Sequence, residues 1–352
     1  MPQLDAQATA SALLTRLSAL TKEHNDKWTS QPRDANIDRI NILQRALQQR
    51  QKLKACENPE YLEAALDVID LEKIYAGVDV REAEQERNIK EGTLHGPEYG
   101  HSDFIVMETL RWYKQDFFKW VNTPEVEGKT GGRLIGRAAP TEEELRFGEA
   151  SVVEVYQYDD GSRLRFPRFN NPVKLLSWRQ GRCGEWNMCF YLILRTLDIR
   201  TRYVLNKEDH VWCEVWSSQM GRWCHVDSCE EAFDNPQLYN KGWGKKMSYC
   251  LAFGLDGVAD VSKRYVVEKD KSLPRNECPE GLLKKAITWT NASIRKSLTQ
   301  EQREILFVED FFERLELNGE LHQRTRTTTA PALPRQTGAG EWTKARGEAG
   351  SN

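Results

Sequence analysis

Leucine and isoleucine recur at three- and four-residue intervals near the start of the chain, at Leu13, Leu14, Leu17 and Leu20 within residues 8–26 and at Ile40, Leu43 and Leu47 within 35–56. Apolar positions at that period share one face of a helix. The many intervening charges place both helices on the outside of a domain, with Pro32 separating them. Residues 103–122 carry Phe104, Met107, Leu110, Tyr113, Phe117 and Phe118 at the same intervals, which predicts a core helix ending near Asn122. Residues 123–151 are rich in Gly, Pro and charge and read as an exposed excursion. Aromatic and β-branched residues then concentrate over 152–275. Within that stretch Trp186, Cys189, Phe190, Ile193, Leu194 and Leu197 predict a buried helix with Cys183 in its first turn. Two strand-like runs flank Ser217–Gly221, and alternation puts His210, Trp212, Glu214 and Trp216 on one face of the first and Trp223, His225 and Asp227 on one face of the second. A helix is predicted for 300–318, and the last 30 residues lack a packing pattern and are expected to be disordered.

Composition narrows the functional classes. The chain has 352 residues, 39% of them hydrophobic, enough for one large core or two modest ones. With 50 Lys and Arg against 53 Asp and Glu, neither a nucleic-acid footprint nor a polybasic membrane patch is indicated, so neither is expected as a partner. No apolar run approaches the roughly 20 residues that span a bilayer, and the first residues lack a secretory pattern. The expected location is the cytosol, with the nucleus also open. The eight cysteines, at 56, 183, 189, 213, 224, 229, 250 and 278, are then expected as reduced thiols. None forms a CxxC pair, and the tightest local group, Cys224, His225 and Cys229, is not expected to hold zinc. No cofactor is expected.

Cys183 has two readings. At a helix start, free N–H groups and the helix dipole stabilise a thiolate nucleophile; alternatively, the residue is a small apolar core side chain. A base within reach favours the first. If the turn pairs Ser217 with Arg222, Trp212 lies opposite Asp227 and His210 lies diagonal to it, about 7–8 Å away at Cα, a gap that imidazole and carboxylate can bridge. Cys, then His, then Asp in chain order fits papain-like and transglutaminase-like cysteine acyl transfer.

The segments "RFPRFNNPVKLL", "RQGRCGEWNMCF", "RYVLNKEDHVWCEVW", "RWCHVDSCEEAFDNPQLY" and "GWGKKMSYCLAFGLDGVADVSKRY" closely resemble the catalytic core of cytoplasmic peptide:N-glycanases, in the transglutaminase-like superfamily. The resemblance runs from about Leu110 to Tyr265. It implies an α+β, papain-like core in which a nucleophile-bearing helix packs on an antiparallel sheet. The corresponding division is an N-terminal helical region (1–100), the core (101–275), C-terminal helices (276–320) and a disordered tail (321–352). By resemblance, Cys183 is the nucleophile, His210 the general base and Asp227 the orienting carboxylate, while Trp120, Arg202, Trp212, Glu214, Trp223 and Glu230 match the family's substrate cleft. The implied reaction removes N-linked glycans from misfolded glycoproteins sent back from the endoplasmic reticulum for degradation, leaving Asp where the glycosylated Asn stood. Implied partners are those glycoproteins, a ubiquitin-shuttle receptor docking on the helices around 35–56 and at 300–318, and proteasome-associated factors. The sequence departs from the family at two CxxC pairs that bind structural zinc, where Val126, Lys129, Gln157 and Asp160 stand, and at a Glu-Thr replaced by Ser177-Trp178. The 123–165 lobe is therefore expected to be metal-free and either held by something else or looser. An inactive family member acting as a binding protein is the alternative reading.

Overall fold

The leucine-periodic N-terminus folds into four helices, α1 (Ala6–Ser30), α2 (Asn41–Ala55), α3 (Pro59–Leu66) and α4 (Leu71–Lys90), in the computed structural model, which describes residues 6–321 and 334–350. Side-chain caps fix where two of them start: Asn58 accepts from the Glu60 N–H ahead of Pro59, and Asp70 accepts from that of Lys73. An outside position was expected for the second helix, and the structure differs. Ile42, Leu43, Ala46 and Leu53 of α2 are fully buried, and Arg50 donates to the Gly254 carbonyl at 2.7 Å. The charges between the leucines mark the narrow solvent side of a helix whose other side is core.

The helix predicted for 103–122 is shorter than its apolar period. After α5 (His101–Trp112) the chain passes through a wide turn, Tyr113–Phe117, and Lys119–Trp120 become strand β1. Aromatic packing sets this path: the Tyr113 and Phe118 rings stack at 5.4 Å, and Trp186 meets Phe118 edge-on at 5.2 Å.

Residues 123–151 are not a bare excursion. They contain β2 (Arg133–Ala138) and α6 (Glu142–Gly148), and β2 joins β3 (Val153–Gln157) and β4 (Arg163–Pro167) in a three-stranded antiparallel sheet, order β2-β3-β4. Thr141 and Glu144 cap α6 reciprocally. β2 has mostly exposed side chains, which is why no burial alternation announced it.

The central layer follows. Helix α7 (Pro172–Trp178) leads through β5 (Gln180–Gly181), paired in parallel with β1, into α8 (Cys183–Thr196). Strands β6 (Thr201–Asn206), β7 (His210–Ser217), β8 (Arg222–Asp227), β9 (Ala232–Phe233), β10 (Cys250–Phe253) and β11 (Val258–Asp260) form one antiparallel sheet in the order β11-β10-β6-β7-β8-β9. Cys189, Phe190, Ile193 and Leu194 of α8 are wholly buried where the helix lies against β6 and β7. The short α9 (Ser262–Tyr265) precedes α10 (Glu280–Ile294) and α11 (Gln300–Leu317), which contact α1. Among the described residues no helix is long and apolar enough to cross a membrane.

The tail differs most from expectation. Residues 334–350 include α12 (Gly340–Ala345) and bury Arg335, Thr337, Thr343 and Glu348. Averaging polarity over thirty residues hid one tryptophan and a set of opposite charges that suffice to dock it. The rest of the expected disordered segment, 322–333 and 351–352, lies outside the described residues.

Candidate functional site

Cys183 opens α8, partly exposed, because the residues around it force a sharp strand-to-helix transition. A Cβ on Gly181 would sit 2.5 Å from Glu185 Cβ, so only glycine allows the close approach. Glu185 in turn accepts from the Arg182 backbone N–H at 3.1 Å and from the Arg168 Nη2 at 2.7 Å. The Arg182 guanidinium reaches into the three-stranded lobe, donating to Glu154 at 2.8 and 2.9 Å, to Tyr156 at 2.8 Å and to the Val121 carbonyl at 3.1 Å. Burial opposes the Glu154 charge, but hydrogen bonds from Arg182 and Tyr156 and the charges of both arginines prevail, holding its carboxyl down at about 2. Arg168, Glu154, Arg182 and Glu185 therefore clamp the lobe onto the start of the cysteine helix.

His210 and Asp227 meet as the hairpin register requires. Ser217 pairs with Arg222 and Cys213 with Val226, which sets Trp212 opposite Asp227, and His210 Nε2 lies 3.0 Å from Asp227 Oδ2. Both side chains are buried. Burial works against charge on His210, but the bond to Asp227 and the nearby Cys183 thiol outweigh it and raise the imidazole's pKa. With Nε2–H given to Asp227, Nδ1 has no hydrogen-bond partner among the described residues and is the ring nitrogen left for the thiol. Asp227 is saturated: Oδ1 accepts the Cys229 and Glu230 N–H groups at 2.8 and 3.3 Å, and Oδ2 also accepts the Tyr239 hydroxyl at 2.8 Å. Burial is again unfavourable for the carboxylate, yet the His210 and Tyr239 bonds hold it far below the usual range. His225 lies 2.6 Å from the Tyr239 hydroxyl through Nε2, and burial pushes its pKa down to about 4. Tyr239 and Trp243, whose ring lies 5.2 Å from that of His210, were not singled out from the sequence. They come from an irregular turn with no period, and only the recurrence of large aromatics in "DNPQLYNKGWG" marked the segment.

The structure gathers some of the expected cleft residues and separates others. Trp120 pairs with Gly181, two residues before Cys183, and Glu230 follows closely on Asp227. Trp212 is fully buried beneath His210, its ring 5.7 Å away. Glu214, four residues further along β7 and so roughly 13 Å from His210 along the strand, is buried with Arg202 at 2.6 Å, Arg264 at 2.6 Å and the Tyr265 hydroxyl at 2.6 Å. Arg202 also donates to Glu313 of α11 at 3.1 Å, so these charges tie α11 to the sheet. Trp223 lies under Arg202, 4.2 Å from ring centre to guanidinium, and lines a separate cavity of about 630 Å³ with Trp216, Tyr99 and Phe312.

The residues in place of the zinc thiolates do not fit zinc. Val126 packs beside Tyr158 in an apolar cluster, and Lys129 Nζ lies 2.9 Å from Asp160 Oδ2, so an ammonium and an isopropyl group occupy ligand positions. Among the described residues no group of three or more His, Cys, Asp or Glu side chains could hold a metal ion; Cys224 turns instead to Met220, Sγ to Sδ 3.6 Å. Trp178 of the departing Ser177-Trp178 pair meets Phe169 edge-on at 5.2 Å and packs against the lobe.

A helix that starts at a cysteine and lies on an antiparallel sheet, with a His–Asp pair at its head, defines a transglutaminase-like core. The family model described as the transglutaminase-like superfamily matches residues 129–228, and one described as the Rad4 transglutaminase-like domain matches 200–312. Relatives named peptide-N(4)-(N-acetyl-beta-glucosaminyl)asparagine amidase match most of the chain. That of Yarrowia lipolytica is 42% identical over 304 residues, 84% of this chain and 81% of its own length. The Saccharomyces cerevisiae protein is 41% identical over 306 residues, 84% and 82%, and the Mus musculus protein 37% identical over 314 residues, 85% and 45%. The chain belongs to the peptide-N(4)-(N-acetyl-beta-glucosaminyl)asparagine amidase family. A solved Rad4-Rad23 structure bound to a 6-4 photoproduct lesion covers 86% of this chain and 60% of its own at 12% identity and a TM-score of 0.43, too remote to bear on function.

Proposed function

We propose that the protein is a working amidase that hydrolyses the bond between an N-linked glycan and its asparagine. The observation that carries the reading is the Cys183–His210–Asp227 grouping, assembled at a helix start in a chain of this family. Cys183 Sγ attacks the side-chain amide carbon of the glycosylated Asn, its proton passing to His210 Nδ1. A donor such as the Cys183 backbone N–H, free at the first turn of α8, steadies the oxyanion. As the C–N bond breaks, His210 returns the proton to the leaving glycosylamine and a thioester remains. Water, deprotonated by His210, hydrolyses the thioester to the Asp carboxylate and restores the thiol. Asp227 keeps the imidazole oriented and supports its positive charge.

The substrates on this reading are misfolded N-glycoproteins met in the cytosol or nucleus during endoplasmic-reticulum-associated degradation. A ubiquitin-shuttle receptor is the proposed partner, docking on the terminal helices, where Leu13 and Leu14 of α1 and Ile305 and Phe312 of α11 are exposed. The buried α2 is not available for that role. The names of the relatives favour the amidase over the binding-protein alternative. Incubation of the purified protein with a denatured high-mannose glycoprotein tests the reading. A mobility shift together with Asn-to-Asp conversion in the peptide supports it, and an unchanged glycoprotein rejects it.

A further inference from the structure

The described tail lies on the candidate cleft. Glu230, which matches the family's glycan-contact residues, has its carboxylate taken up by the tail: it accepts the Gln336 and Thr337 N–H groups at 2.9 and 3.1 Å and the Thr337 hydroxyl at 2.5 Å. Trp120 is covered as well, with the Trp342 ring 5.8 Å away edge-on and the Arg335 guanidinium 5.3 Å from its centre. Arg335 simultaneously lies 4.6 Å from the Trp243 ring, which itself contacts His210. Three anchors hold this arrangement. Lys245 pairs with the buried Glu348, the Gly350 N–H donates to the Trp243 carbonyl at 3.2 Å, and Arg346 grips the Asp209 carboxylate and carbonyl at 2.8 and 2.7 Å, one residue before His210.

These contacts are of the kind a sugar would make. An acetamide N–H and a hydroxyl bonded to a carboxylate, and a group packed against an indole, are here supplied by backbone amides, a threonine hydroxyl, a guanidinium and the edge of a second indole. Resting on the amidase reading, we propose that residues 334–350 are a built-in competitor that occupies the glycan cleft and must leave before substrate binds. Trp243, Asp209 and Lys245 are then cleft residues too, since they form the ground the tail stands on. The bonds to Glu230 and a glycan's bonds to it are mutually exclusive, which makes the tail a competitor and not a completing wall. A segment docked for about nine-tenths of the time would weaken apparent substrate affinity about tenfold.

Two full-length variants altered only in the tail test this. Thr337→Pro removes two of the three donors to Glu230, and Trp342→Ala with Arg346→Ala removes the indole cover and the Asp209 grip. Both should speed iodoacetamide labelling of Cys183, read by peptide mapping. In a Cys183→Ala background both should tighten binding of N,N′-diacetylchitobiose by about tenfold. A synthetic 334–350 peptide should reverse the gain competitively. Unchanged labelling and unchanged disaccharide affinity in both variants, with glycan release intact, would overturn the competitor while leaving the amidase standing. Faster labelling without glycan release or disaccharide binding by any form would overturn the competitor together with the amidase reading, since the tail would then cover a thiol but no glycan site.

Discussion

The Tyr239 hydroxyl lies 2.8 Å from Asp227 Oδ2 and 2.6 Å from His225 Nε2, so one phenol links the carboxylate behind His210 to a second buried imidazole. Donating to Asp227, it can only accept from His225, which fixes His225 as the neutral Nε2–H tautomer. Tyr239→Phe keeps the packing and deletes the bridge. We expect kcat/KM to fall about tenfold and the His210 titration, followed by NMR, to move upward as Asp227 loses a competing donor. An unmoved titration would make the phenol a packing element only.

Cys183→Ala, His210→Ala and Asp227→Ala should each lower glycan release by about 10³-fold or more, because such groups act as a unit. Cys189 is wholly buried, and burial pushes its thiol up to about 12. Cys189→Ala should therefore keep its activity and cost only about 1–2 kcal/mol of stability through a small cavity. Equal activity losses at 183 and 189 in folded proteins would reject the nucleophile assignment.

Acid stability should carry the mark of His225. Its folded pKa, about 4, lies below the unfolded value near 6.5, so the unfolded chain binds the extra proton between them. Stability from this group is complete above about 6.5 and lost as pH falls towards 4, roughly 3 kcal/mol in all. Asp227, also depressed, is lost only at still lower pH, whereas the raised His210 has the opposite sign: its contribution is present below about 6.5 and fades as pH rises through its folded value. Melting curves from pH 7 to 4.5 should show a falling Tm in the parent protein and a flatter one in His225→Gln. An equally steep fall in the variant would assign the window to another group.

The lobe should depend on charge and not on metal. A chelator should leave Tm and activity unchanged. Lys129→Ala, which breaks an exposed and screened pair, should have little effect. Glu154→Ala, by contrast, leaves the part-buried Arg182 without a carboxylate and Arg168 with Glu185 alone, and should cost about 3–5 kcal/mol. Stoichiometric zinc in the purified protein, or a Tm that drops with chelator, would refute this.

Much of this was legible in the chain because it depended on short-range periodicity. The start of α8, the β7–β8 register and the His210–Asp227 meeting all follow from alternation and one turn length. The residues that escaped were placed by tertiary contacts with no period: Tyr239 on an irregular turn, β2 with its exposed face, and the tail, whose docking rests on Arg335, Trp342 and Glu348 within a polar background. Alternation also misleads where it continues past the site, since Glu214 shares the His210 face yet serves the α11 junction.

Between residues 123 and 165 the chain contains no cysteine, and Arg182, Arg168 and Glu154 hold that lobe instead. Four zinc-bound thiolates are a target for peroxide, which oxidises sulfur and releases the metal; guanidinium–carboxylate pairs are inert to it. This lobe offers peroxide no sulfur, and the sulfur at risk in the candidate site is that of Cys183, whose first oxidation product a thiol can reduce. Oxidation there as far as the sulfenic acid is reversible at a single atom, where a metal-built lobe would have to be refilled and refolded.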